Sequence, residues 1–200
     1  MDWSSCAMSP LRLATHREWR VRTFLGAVLE LGAKRPYPCA NWTGINLELY
    51  PRVRCMNAEA MTFPKGQFER TISHCVWEHI DQLDKALDEC RRVTRQSGHG
   101  FHIVPAWSTC LLYPFHGYRV FTEAGIRGWC GGAGLHVERM QRYGGLGSWL
   151  VHFVCITLLE TVGVSLRPSR LYGWLLQGAQ VLDKHTRWCP LAYGVEWQVR

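Results

Sequence analysis

The chain has 200 residues, 47% of them hydrophobic, and a formal net charge of +7 from 23 Lys and Arg against 16 Asp and Glu. This length suits one domain with a sizeable core and is short for two, so we expect a single domain over residues 1–200 with residues 1–15 frayed. The basic residues are spread along the chain without a lysine-rich block. This distribution is more typical of a solvated surface than of a nucleic-acid-binding face, so no nucleic-acid partner is expected.

Nine cysteines occur singly, without a C-x-x-C pair. The odd total and the isolated positions favour reduced thiols over a disulfide framework or a zinc site. The first twenty residues lack a basic region followed by an apolar one, so no secretory signal is predicted and a cytoplasmic location is expected. His99, His102 and His116 lack metal-ligand spacing, so we expect structural or surface roles for them and no metal.

Four short apolar runs in the first half predict buried strands. Residues 27–31 (AVLEL) and 43–49 (TGINLEL) are aliphatic or β-branched and are ended by Gly or Pro, as in the strands of a parallel sheet. Residues 53–58 and 70–74 have a similar composition.

The clearest amphipathic helix is predicted over residues 81–95, with Asp81 as its candidate N-cap. Its apolar residues form one stripe, consisting of Leu83, Ala86, Leu87, Cys90 and Val93. A strand is predicted at 100–105, where Pro105 ends it.

The second half continues the alternation of helices and strands. A helix is predicted over 122–134 with Thr122 as its cap, and alternating residues predict strands at 135–143 and 193–200. Alternating strands and helices indicate an open α/β sheet, in which ligands bind at the carboxyl ends of the strands.

The strongest apolar run covers residues 147–163 and is interrupted by His152 and Glu160. A charged residue within a spanning helix costs about 3 kcal/mol, so a transmembrane span is not expected. With the apolar stretch 170–182, this run predicts a helical insertion over 144–190. Three interpretations remain open for the insertion: a lid over a substrate pocket, packing in a core or dimer, or a peripheral membrane contact through Trp149, Trp174 and nearby Arg residues.

Four segments occur in an order and spacing that resemble the class I S-adenosylmethionine-dependent methyltransferases of the type 11 group. They are VLELGAKRPYP from residue 28, GINLELYP, NAEAMTFPKGQFERTISHCVWEHI and RRVTRQSGHGFHIVP. The resemblance covers residues 18–143. It implies a Rossmann-like doubly wound sheet, mostly parallel with an antiparallel last strand and with the helical insertion before that strand. It also implies S-adenosylmethionine as the cofactor.

The resemblance places the cofactor loop after the first strand. Glu30 and Gly32 match the acidic-x-glycine start of that loop, where glycine lets the backbone approach the ligand. The family's next glycine is missing from this chain, because Ala33, Lys34 and Arg35 fill the turn and Pro36 stiffens it. Side chains there leave less room for a ligand, and an ordinary strand-to-helix turn remains the alternative.

Two further strand ends match cofactor-binding positions. Asn46 takes the place of the family's ribose-binding carboxylate, and Glu48, two residues on and on the same face of the predicted strand, could substitute for it. A bond from Asn46 without charge assistance would be roughly half as strong. Asn57 takes the place of an adenine-binding Asp, with Ala58 and Glu59 beside it. A solvated carboxylate at Glu48 and a polar strand-end cap at Asn57 are the alternatives.

The segment SHCVWEHI follows the fourth strand, where the resemblance implies a loop between cofactor and acceptor. Ser73 and His74 are the expected cofactor contacts, and Glu78 and His79 are the adjacent acid and base candidates. His79 could accept the proton of a hydroxyl acceptor, and a packed histidine that starts the next helix is the alternative. The chain has no H-E-x-x-H, no G-x-S-x-G and no P-loop motif.

The sequence therefore predicts S-adenosylmethionine-dependent methyl transfer to a small-molecule, lipid or glycan-linked acceptor. A methyltransferase-like binding or scaffold protein without activity is the second hypothesis. Methylation of nucleic acid is a weaker third, because the family's Pro-Pro loop for amino methylation is absent after the fourth strand.

Overall fold

The computed structural model describes residues 26–35, 41–112, 119–166 and 169–200. The predicted fraying of residues 1–15 and the role of Pro36 lie outside these ranges. The described chain divides into two compact units. The sheet unit contains residues up to 104 together with 121–141 and 194–200, and the helical unit contains the described parts of 105–120 and 142–193. A single domain over residues 1–200 stays a prediction.

Within the described residues, seven strands form one sheet in the order β3-β2-β1-β4-β5-β7-β6. The first five strands pair in parallel, and β7 lies between β5 and β6 and runs antiparallel to them. This confirms the predicted Rossmann-like sheet with an antiparallel last strand. The bounds are β1 Val28–Leu31, β2 Trp42–Asn46, β3 Arg54–Cys55, β4 Phe68–His74, β5 Thr94–Pro105, β6 Leu135–Tyr143 and β7 Ala192–Val199.

The core of the sheet unit forms around its central strands. Val28, Leu29 and Leu31 of β1 are buried although successive side chains point to opposite faces of the sheet. Both faces of β1 are therefore covered, which explains its continuous apolar sequence.

Helix α1, Leu83–Val93, buries the whole predicted stripe, namely Leu83, Ala86, Leu87, Cys90 and Val93. The prediction of Asp81 as N-cap is wrong, because the cap position is Gln82 and its side chain makes no capping bond. The Gln82 backbone N–H instead donates to the Glu59 carboxylate at 3.1 Å. In helix α2, Glu123–Gly132, the Thr122 hydroxyl accepts the Gly125 N–H at 3.1 Å, as predicted.

The helical unit contains two longer helices. Helix α3, Leu146–His152, continues into a π-helical turn at Phe153–Leu158 and a 3-10 turn at Glu160–Val162, and helix α4 spans Arg170–Asp183. The Asp183 carboxylate joins them by accepting the Ser148 N–H at 2.9 Å and the Ser148 hydroxyl. Helices therefore occur where the sequence predicts an insertion, while its role as a lid stays a prediction.

Across the described residues, no helix combines the length and the apolar character that crossing a membrane requires.

Candidate functional site

The strand register brings the predicted site residues to one edge of the sheet. Leu31, the last residue of β1, is paired with Ile45 on one side and with Ser73 on the other. Asn46 is in turn paired with Cys55 of β3. The segments that begin at Gly32, Asn46 and His74 therefore leave the sheet side by side, where open α/β sheets bind ligands.

Gly32 begins the turn after β1 in a left-handed conformation, with φ +69°. A side chain there would be strained and would also overlap the Val76 side chain from the turn after β4. Ala33 follows fully buried, and its N–H donates to the Ile45 carbonyl at 3.1 Å. The glycine is thus required by the close approach of two loops at this edge.

Glu30 lies on β1 with its carboxylate largely removed from water. Its Oε2 accepts the Trp42 Nε1–H at 2.8 Å. Burial raises the pKa of Glu30 to about 7, although the Trp42 hydrogen bond and the nearby Arg35 charge both act to lower it. The carboxyl therefore changes its protonation state near neutral pH.

The amide of Asn46 is held by the protein itself. Its Nδ2 donates to the Ala33 carbonyl at 2.9 Å, and its Oδ1 accepts the Glu48 backbone N–H at 3.1 Å. Asn46 therefore connects the turn after β1 to the turn after β2. A ribose hydroxyl would have to share Oδ1, the one acceptor atom of this side chain.

The expectation that Glu48 lies on a strand face is wrong, because β2 ends at Asn46. The backbone turns at this point, since the Asn46 side chain accepts the Glu48 N–H. Glu48 is exposed, and its carboxylate accepts a hydrogen bond from the Tyr50 hydroxyl. It therefore remains available to a ligand at the end of β2.

Asn57 shapes the turn after β3. Its Oδ1 accepts the Glu59 N–H at 2.9 Å, and its carbonyl accepts the Ala60 N–H at 3.2 Å. Ala58 between them is half-buried, and the Glu59 carboxylate is used at the start of α1. Asn57 therefore acts as a polar strand-end cap, which was the alternative role given for it from the sequence. A contact of Asn57 with adenine stays a prediction.

Ser73 is fully buried, and its hydroxyl lies 2.8 Å from Nδ1 of His102 on β5. The imidazole is stacked on the Trp197 indole at a centroid distance of 5.5 Å, and Trp77 lies 4.8 Å away on a tilted plane. Burial lowers the pKa of His102 to about 3, so the ring is neutral. The sequence predicted a structural or surface role for His102 but gave no sign of its pairing with Ser73. His74, half-buried, is the next residue toward the edge.

Glu78 and His79 lie together in the 3-10 turn Trp77–His79, which follows the left-handed residue Cys75 with φ 53°. The Glu78 side chain is 7% exposed and the His79 side chain 44%, and His79 Nε2 is 3.8 Å from Glu78 Oε1. Glu78 Oε2 is buried without a hydrogen-bond partner among the described residues. Burial raises the pKa of Glu78 to about 7. The turn thus combines a buried carboxyl, which has a spare oxygen, with an accessible imidazole.

Other regions of the described chain offer less chemistry. A surface groove of about 540 Å³ lies between α1 and α2 and is lined by Asp84, Asp88, Trp129 and glycines of α2. In the ranges that the structure covers, no group of three His, Cys, Asp or Glu side chains could hold a metal ion.

Comparison with known proteins agrees with this geometry. A family model described as a methyltransferase domain, of type 11, matches residues 35–101. The geranyl diphosphate C-methyltransferase of Streptomyces coelicolor A3(2), solved with Mg²⁺, geranyl diphosphate and S-adenosyl-L-homocysteine, is 10% identical with a TM-score of 0.61. That match covers 94% of this chain and 80% of the other. An S-adenosylmethionine-dependent methyltransferase from Mesorhizobium loti is also 10% identical, with a TM-score of 0.60 over 94% and 97% of the two chains.

The same fold also occurs in a protein named for another reaction. The cyclase SpnF is 15% identical with a TM-score of 0.59, over 94% of this chain and 80% of the other. A search of curated proteins finds no significant match. The chain therefore has the class I S-adenosylmethionine-dependent methyltransferase fold, and its matched segment confirms the resemblance to that family.

Proposed function

We propose that the protein transfers a methyl group from S-adenosylmethionine to a small-molecule, lipid or glycan-linked acceptor. The observation that carries this proposal is the edge where Gly32, Asn46 and His74 leave neighbouring parallel strands, with Glu78 and His79 in the turn that follows. The match of residues 35–101 to a methyltransferase domain supports it. A cytoplasmic location belongs to this proposal and is supported by the sequence, in which nine cysteines occur singly and without a C-x-x-C pair.

The residues at this edge fit the cofactor in their donor and acceptor chemistry. S-adenosylmethionine presents an ammonium group, two ribose hydroxyls and an adenine amino group, all of which donate hydrogen bonds. The edge offers acceptors in the carboxylates of Glu30 and Glu48 and in Oδ1 of Asn57. Glu30 would face the ammonium end, Glu48 the ribose and Asn57 the adenine, in the order that the resemblance implies.

The bound cofactor would supply an electrophilic methyl group, and the chain's own residues would align the acceptor and manage its proton. Alignment is a major source of rate in such a displacement, and a base is needed only when the nucleophile carries a proton. His79, being accessible, would take that proton at a ring nitrogen. Glu78, 3.8 Å away, would stabilise the resulting imidazolium as its own carboxyl ionises near neutral pH.

A binding or scaffold protein without activity is the second hypothesis. It is favoured by the self-contained bonds at the edge, since Asn46 is bonded to Ala33 and Glu48, and Glu59 to Gln82. The burial of Ser73 against His102 points the same way.

A calorimetric titration with S-adenosylhomocysteine separates the two hypotheses. We expect binding, and we expect Glu48→Gln to weaken it about tenfold, the effect of losing one charge-assisted hydrogen bond. Glu138→Gln is the matched control, because Glu138 is a comparably exposed carboxylate that pairs with His99 instead of lying at this edge. No binding by the wild-type protein at millimolar ligand would favour the scaffold, and equal effects of both variants would contradict the assignment of Glu48.

A further inference from the structure

Helix α4 has an apolar face that the described residues leave exposed. Tyr172, Leu176 and Ala179 form the buried face of this helix. At 100° per residue, a second set of positions occupies about a third of the helix circumference beside the buried face. This set is apolar and exposed, and consists of Leu171 at 50%, Trp174 at 69%, Leu175 at 38%, Val181 at 61% and Leu182 at 41%, with Gly178 among them.

The exposed face is uncharged along its length and basic at both ends. Residues 171–182 contain no Asp, Glu, Lys or Arg. Arg170 begins the helix, and Lys184 and Arg187 follow it, all of them exposed. The one acidic residue of the helix, Asp183, is engaged by Ser148 of α3. An indole, Trp188, lies beyond the basic end and is 61% exposed.

A second exposed row lies on the segment that precedes α4 in the same unit. Its members recur every four residues across α3, the π-helical turn and the 3-10 turn, and are Leu150 at 43%, Val154 at 45%, Leu158 at 48% and Val162 at 72%. Large apolar side chains are often exposed singly, but a set of them along one face of a helix marks a surface that meets a partner.

We propose that this apolar face of α4 docks onto an anionic lipid surface, with the helix lying in the plane of the interface. An apolar stripe with tryptophan and with basic residues at its rim is the pattern of helices that lie in an interface. A helix of 14 residues is about 21 Å long, too short for a hydrocarbon core of about 30 Å. A second copy of the chain fits less well, because a symmetric contact would bring two identical basic rims together.

The proposal does not depend on the proposed methyl transfer, because lipid binding needs neither cofactor nor acceptor. Its test is flotation of the full chain with vesicles of phosphatidylcholine alone and with 30 mol% phosphatidylserine, at two salt concentrations. We expect binding to the phosphatidylserine vesicles and weaker binding at high salt. Trp174→Gln should reduce partition about tenfold, because binding scales with buried apolar area.

Trp129→Gln is the matched control, because Trp129 is a partly exposed tryptophan on α2 in the other unit. It should bind vesicles like the wild-type protein. Far-UV circular dichroism establishes that both variants are folded. Absence of binding to both vesicle types would overturn the proposal, as would equal loss in the two variants. Self-association in sedimentation that Trp174→Gln abolishes, without vesicle binding, would assign the face to a second copy instead.

Discussion

Ser73 and His102 form a polar pair in the interior of the sheet unit, with the hydroxyl 2.8 Å from Nδ1 of the neutral imidazole. Neither side chain is exposed, and His102 Nε2 has no hydrogen-bond partner among the described residues. The hydrogen bond between them thus satisfies two buried polar atoms, the Ser73 hydroxyl and Nδ1 of His102. Removing one member should therefore cost more than removing both.

A double-mutant cycle tests this relationship. His102→Phe keeps an aromatic ring between Trp77 and Trp197 but leaves the Ser73 hydroxyl unpaired, so we expect a loss of about 1 to 3 kcal/mol in the free energy of unfolding. Adding Ser73→Ala should recover most of that loss, which gives a favourable coupling between the two substitutions. Urea unfolding of the four proteins measures it. Strictly additive losses would show that the two side chains are energetically independent.

Glu78 should make stability depend on pH. Its pKa in the folded protein, about 7, is above the ordinary value of 4.5, so folding takes up a proton between these two values. The contribution of Glu78 to stability is therefore fully present below pH 4.5 and is lost as the pH rises through about 7. Glu78→Gln should increase the free energy of unfolding by up to about 3 kcal/mol at pH 8 and change it little at pH 4.

The measurement for Glu78 is the difference between variant and wild type at each pH. His102 has the opposite sign, because a pKa lowered to about 3 removes stability as the pH falls. The contribution of His102 is present in both proteins and cancels in the difference. A difference that does not change between pH 4 and pH 8 would contradict the buried, protonated state of Glu78.

Asn46→Asp should destabilise the protein, although the resemblance alone would suggest tighter ribose binding. An aspartate cannot donate the bond that Nδ2 makes to the Ala33 carbonyl, so we expect a loss of about 1 to 2 kcal/mol. Asn57→Asp is the control, since Asn57 uses only its acceptor atom in the turn and an aspartate keeps it. Thermal unfolding of both variants gives the comparison, and equal stability would show that the Asn46 amide is not held as described.

Replacing glycine by alanine should have opposite effects on stability at Gly100 and at Gly128. A methyl group at Gly100 of β5 would overlap the Trp197 indole, so Gly100→Ala should destabilise by about 1 to 3 kcal/mol or more. Gly128 lies within α2, where a methyl group would meet open space, so Gly128→Ala should stabilise by about 0.5 to 1 kcal/mol. Urea unfolding measures both effects. Changes of the same sign in the free energy of unfolding, relative to the wild-type protein, would contradict this packing.

His79→Ala tests the proposed base. The side chain is 44% exposed, so the substitution should change the melting temperature and the S-adenosylhomocysteine affinity little. If His79 accepts a proton from the acceptor, single-turnover methylation should fall by about 10²- to 10⁴-fold. Full activity in the variant, or a loss of folding, would instead make His79 a structural residue.

The order of elements was predictable because strand and helix periodicities differ, as the stripe from Leu83 to Val93 illustrates. The mostly parallel sheet with an antiparallel last strand followed from the resemblance, whose motifs fall at successive strand ends. Side-chain direction was less predictable. Glu48 does not lie on a strand, because the Asn46 side chain accepts the Glu48 N–H and the backbone turns there. Such a side-chain bond competes with the hydrogen bonds of the strand, and sequence periodicity does not reveal it.

The pair of Ser73 and His102 was not predictable from spacing, because it joins two strands whose register is set by the whole sheet. The same holds for the burial of Glu78, which depends on how the turn after β4 packs. Contacts between distant segments were thus not predictable from the sequence, whereas the local capping bond of Thr122 was.

The position of β7 between β5 and β6 imposes an order on folding. Both neighbours precede β7 in the chain, yet neither can complete its hydrogen bonds until β7 enters the gap between them. The Trp197 indole must reach Gly100 and His102 across a long sequence separation, and such contacts form slowly. Until β7 enters, the edges of β5 and β6 that face it are unpaired, and unpaired strand edges favour aggregation.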